Sequence, residues 1–75
     1  MAENREYPPH VQRMVLERYE LYRKEILLGA FIEESEKFKV LPPYSQTLAR
    51  EQLRVMTEYR EILEKRIYDE EHRSM

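Results

Sequence analysis

Two long stretches of this chain carry apolar residues at three- and four-residue spacing, with a short proline-bounded segment between them. In the first, Val11, Met14, Val15, Tyr19, Tyr22, Ile26 and Ala30 follow the spacing of one helix face. A second line, Met14, Leu21 and Leu28, recurs every seven residues, flanked by Leu16, Leu27, Phe31 and Ile32. The apolar arc is therefore wider than one neighbouring helix covers. In the second stretch, Leu48, Val55, Met56, Tyr59, Ile62, Leu63 and Ile67 give the most regular spacing in the chain, with Leu53 on the flank.

Proline and serine set the expected boundaries. Tyr7-Pro8-Pro9 restricts its backbone to extended geometry, and Pro9 suits a first helical turn. A first helix from about Pro9 to Glu34 follows. Glu33, Glu34 and Glu36 are unfavourable at a helix C-terminus, where the dipole prefers cations; Ser35 instead suits a cap for a short turn, Glu36-Lys37-Phe38. Phe38, Val40 and Leu41 are then expected to tuck under the hairpin end as an apolar plug. Pro42-Pro43 opens a second long helix, reaching about Glu70. A link of about seven residues favours antiparallel neighbours. The expected fold is all-α: an antiparallel helical hairpin over residues 9–71, with a flexible arm at 1–8 and a frayed tail at 72–75. Gly29, inside the first helix, reads either as a tolerated glycine or as a close approach by another helix or a ligand.

Length decides what must be added to that hairpin. At 75 residues the chain is at most one domain and buries only roughly 60 % of its unfolded surface. Small proteins offset this with disulfides, metal or self-association. The chain has no Cys and two His, which excludes disulfides and argues against structural zinc. Self-association remains, so the hairpins are expected to assemble into a helical-bundle homo-oligomer. A charged fraction of 37 % suits a soluble helical protein. A net charge of −2 and a pI near 5.7 do not favour long nucleic acid, although a local basic cluster would serve a small anion. The longest apolar run, Ile26 to Ile32, is too short to span a bilayer. The polar start, Met1 to Glu6, is unlike a signal peptide, and a cytoplasmic location is expected.

Candidate chemistry sits on one line of the second helix. Gln52, Tyr59 and Arg66 are seven residues apart and project from nearly one line, because seven residues fall only about 20° short of two turns. Polar groups bordering an apolar seam are costly unless paired. Two readings stay open. Either they bond groups of the first helix or of a second subunit, as register-setting polar residues do; or Arg66 holds a phosphate, Tyr59 stacks on a base and Gln52 reads a base edge. The first helix offers Arg18, Tyr19, Tyr22, Arg23 and Lys24, with Arg18 and Tyr22 on one face. These read either as a solvated basic face or as a second set of phosphate and base contacts placed near Tyr59. No Cys nucleophile and no glycine-rich phosphate loop is present, so catalysis is not expected. Asp69 and His72 have a carboxylate–histidine metal spacing, but no second such pair exists, and neither metal nor cofactor is expected.

Leu28-Gly29-Ala30-Phe31-Ile32, Ser35-Glu36-Lys37-Phe38-Lys39, Leu41-Pro42, Leu48, Arg50-Glu51-Gln52-Leu53, Met56, Tyr59, Ile62-Leu63 and Arg66-Ile67 together resemble a family of short bacteriophage helical-hairpin proteins related to a small crAss-like phage protein. The resemblance covers about His10 to Ile67. It departs at Pro43-Tyr44-Ser45, where acidic residues are expected, and at Ala49, where Leu is usual. The family is similar to the small helical sponges with which phages sequester cyclic-nucleotide immune signals of the CBASS and Thoeris systems. That resemblance implies a non-catalytic protein of the host cytoplasm, an oligomer of itself, holding a cyclic di- or trinucleotide at subunit interfaces. The implied contacts are Arg18 and Arg66 to phosphate, Tyr22 and Tyr59 to bases, and Gln52 to a base edge. The rival expectation is a hairpin module that binds a host or phage protein through its helix faces.

Overall fold

Pro9 opens the first helix where its missing N–H leaves no hydrogen bond unmade, and the amides of Val11 and Gln12 close the first turn on the Pro8 carbonyl, each at 3.0 Å. The computed structural model describes residues 7–73. Helix α1 spans Pro9–Glu34, α2 spans Glu36–Lys39 and α3 spans Pro43–Arg73. No strand occurs among the described residues. Helix α3 continues past Glu70 through His72, whose ring stacks on Tyr68 at 3.8 Å between centroids. The arm and tail expected at residues 1–6 and 74–75 lie outside the described residues. Tyr7, expected in the arm, donates its hydroxyl hydrogen to Glu71.

The connection is built as its residues dictate. Ser35 leaves the helical region and its Oγ accepts from the Lys37 amide at 3.0 Å, the N-cap that starts α2. Gln46 then ties the turn down: its side-chain amide nitrogen lies 3.2, 3.3 and 3.1 Å from the carbonyls of Phe38, Lys39 and Leu41. Phe38 is buried, edge-on to Phe31 at 5.6 Å and beneath the Arg50 guanidinium at 5.0 Å. The plug is narrower than expected. Val40 follows the last turn of α2 and points out, 81 % exposed.

Contacts between distant residues fix an antiparallel hairpin: Tyr7 meets Glu71, Glu25 meets Arg60, and Gly29 faces Leu53. The core draws on both apolar lines of α1, taking Met14 and Leu21 from the seven-residue one and buried Val11 from the other. Met14 and Leu21 pack with Leu63 and Ile67, joined by Val15 and Met56. Tyr19, Tyr22 and Ile26 of the other line remain exposed, as do Leu48, Val55, Tyr59 and Ile62 of α3. The reason is geometric, since two cylinders share one line of contact and each helix carries more than one apolar line. The molecule measures 51 × 21 × 15 Å, with a radius of gyration of 16.3 Å against about 11 Å for a globule of this length. A rod of that shape has little interior.

No close approach within the chain requires Gly29. A Cβ added there meets only Leu53 Cδ2, at an ordinary 3.9 Å. Gly29→Ala is therefore expected to stabilise the hairpin by about 0.4–1 kcal/mol through lower unfolded-state entropy. Thermal melting followed by circular dichroism measures this, and a lower melting temperature would restore the close-approach reading.

Candidate functional site

The one buried charge of the described core, Glu25, organises the region around it. Its carboxylate accepts from Arg60 Nε at 2.6 Å and from the Thr57 hydroxyl at 3.0 Å. Arg60 Nη1 also donates to Glu64 at 2.9 Å, and the guanidinium carbon lies 5.4 Å from the centroid of the Tyr22 ring. A buried carboxylate without partners would be strongly destabilising. Hydrogen bonding to Glu25, then to Glu64, holds the Arg60 guanidinium further above its already high ordinary value, so it stays charged at any accessible pH.

Beside this cluster lies an open cleft of about 420 Å³, lined by Arg18, Tyr19, Tyr22, Arg60 and Glu64. A second hollow, of about 590 Å³, continues along the N-terminal half of α1 and shares Arg18 and Tyr19 with it. Arg18 is half-buried and has no carboxylate partner among the described residues. A cation without a carboxylate partner, lining a cleft with two tyrosines, is a chemical match for an anion joined to flat rings.

The other three residues singled out from the sequence lie elsewhere. Gln52 lines a groove of about 510 Å³ with Leu21, Lys24, Leu27, Leu28, Phe31 and Met56. The Tyr59 hydroxyl donates to Glu17, and Arg66 is exposed. Successive helical residues are turned by about 100°, so Glu17 and Tyr59 emerge on one edge of the α1–α3 seam while Arg18 and Arg60 emerge on the other. Arg18 and Tyr22 thus do not approach Tyr59 within one chain, contrary to expectation. The antiparallel pairing brings the correct helix levels together, but on opposite edges.

Arg60, Glu64 and Glu25 are not among the site residues expected from the sequence. A signal was present. Glu25 is four residues from Leu21, and Arg60 lies four after Met56 and three before Leu63, so each helix places one charge of opposite sign within its core stripe.

Among the described residues no group of three metal-ligating side chains stands together, and no helix is long and apolar enough to cross a membrane. A family model described as Sequestin matches residues 8–69, which take in nearly all of the hairpin. No curated protein and no solved structure matches the chain.

Proposed function

The chain belongs to the Sequestin family, and we propose that it does what that description implies, taking up a small ligand and holding it without turnover. The ligand is a cyclic di- or trinucleotide immune signal, sequestered by a phage-encoded protein in the host cytoplasm. The observation that carries this reading is the cleft itself. Arg18 stands there beside Tyr19 and Tyr22, with no carboxylate partner among the described residues, offering a phosphate contact and ring faces.

The two edges of the hairpin give the reading its oligomeric form. One edge carries Arg18 and Tyr22, the other Gln52, Tyr59 and Arg66. One ligand touches all five only where edges of two copies meet. Arg18 and Arg66 then hold phosphates, Tyr22 and Tyr59 stack on bases, and Gln52 reads a base edge. The exposed apolar residues of both helices supply the surface by which copies join.

Calorimetric titration with a panel of cyclic di- and trinucleotides, with light scattering for mass, tests this. Heat at a fixed stoichiometry per oligomer is expected, and silence across the panel defeats the reading. Arg66→Ala is expected to weaken binding by about 10- to 100-fold, the range of a lost charge-assisted bond, with the oligomer's mass unchanged. A second reading draws on the half-exposed line Leu48, Val55 and Ile62, which suits a protein partner. There the Gln52, Tyr59 and Arg66 row is structural, and Arg66→Ala dissociates the oligomer instead.

A further inference from the structure

Arg60 is held unequally by its two carboxylates. Glu25 is fixed from two sides, by Arg60 Nε and by the Thr57 hydroxyl, and its side chain is only 9 % exposed. Glu64 takes a single bond from Nη1 and its side chain is 41 % exposed. Of the five N–H groups on a guanidinium, Nε and one on Nη1 are engaged by these partners. The others belong to a head group that lines the cleft together with Glu64 and Arg18. The side chain is anchored by Glu25 and rests over the Tyr22 ring.

From this geometry we infer that Arg60 is a phosphate-binding residue of the cleft and that Glu64 is its resident counter-anion, displaced when a phosphate arrives. This rests on the cleft being the nucleotide site. A carboxylate and a phosphate compete for the same donors, and both prefer the paired geometry of the guanidinium fork. Breaking the Arg60–Glu64 contact costs little, because a partly exposed ion pair is worth only about 0.2–1 kcal/mol. Breaking Arg60–Glu25 would strand a buried charge. The anchor therefore stays while the cap leaves. With Arg18, Arg60 then presents two cations to one ligand, and Glu64 discriminates against ligands too weakly charged to displace it.

The test titrates wild type, Glu64→Gln, Glu64→Ala and Arg18→Ala with inorganic pyrophosphate and with the cyclic nucleotide panel, after melting curves show each variant folded. Both Glu64 variants are expected to bind three- to tenfold more tightly than wild type, and Arg18→Ala to bind at least tenfold more weakly. Unchanged or weaker binding by both Glu64 variants, with Arg18→Ala still defective, overturns the inference while leaving the sequestration reading intact. If no protein binds any probe, both are overturned.

Discussion

Shortening Leu63 to alanine is expected to cost the hairpin about 3 kcal/mol and to lower its melting temperature by roughly 12–24 °C. Leu63 is 1 % exposed and sits in the cluster with Met14, Leu21 and Ile67. In a wide core, neighbours can relax into the space left by a missing side chain. Here the walls are two helix backbones in a body 15 Å thick, so little can move in to replace the lost contacts. Leu48 is the internal control. It lies on the same helix with half its surface exposed, and its replacement by alanine is expected to cost under about 1 kcal/mol. Melting of both variants by circular dichroism checks the pair. Equal losses would mean that the seam between α1 and α3 is drawn along the wrong line.

How much of this was readable beforehand follows from what each signal is made of. Helix starts and the capped turn were legible because they depend on local chemistry: Pro9, the Ser35 side chain and Pro43 act within a few residues of themselves. Which residues of the two apolar lines on α1 face α3 was not legible in that way. Met14–Leu21–Leu28 and Val11–Met14–Val15–Tyr19–Tyr22–Ile26–Ala30 are both adequate helical faces, and only the docking of α3 buries Val11, Met14 and Leu21 while leaving Tyr19, Tyr22 and Ile26 exposed. The edge assignment failed for the same reason. The level of Arg18 against Tyr59 follows from an antiparallel hairpin, but their side of the seam depends on the rotation of each helix about its axis. Glu25 and Arg60 fix that rotation. Neither is legible singly, because a charge in an amphipathic sequence is usually solvated, and their meaning appears only in the pair, 35 residues apart.

Replacing Val55 and Ile62 together by glutamate is expected to turn an oligomer into a monomer of 9.3 kDa and to remove nucleotide binding with it. Each side chain is about half exposed, 49 % and 54 %, and neither belongs to the Met14–Leu21–Leu63–Ile67 cluster. Glutamate is also a good helix former, so the hairpin itself should fold and melt nearly as before. Across a contact between copies, the same change buries carboxylates without partners. A face 51 Å long and 21 Å wide is large enough for the about 800 Å² per partner that stable interfaces use, so one such face suffices for a specific dimer. Light scattering reads the mass and calorimetry the binding. A monomer that still binds would place the whole site in the Arg18–Tyr22–Arg60 cleft of one chain, leaving Gln52, Tyr59 and Arg66 without a ligand role. An oligomer that persists would move the contact to the exposed Tyr19, Tyr22 and Ile26 line of α1, and the cleft beside them would then lie within it.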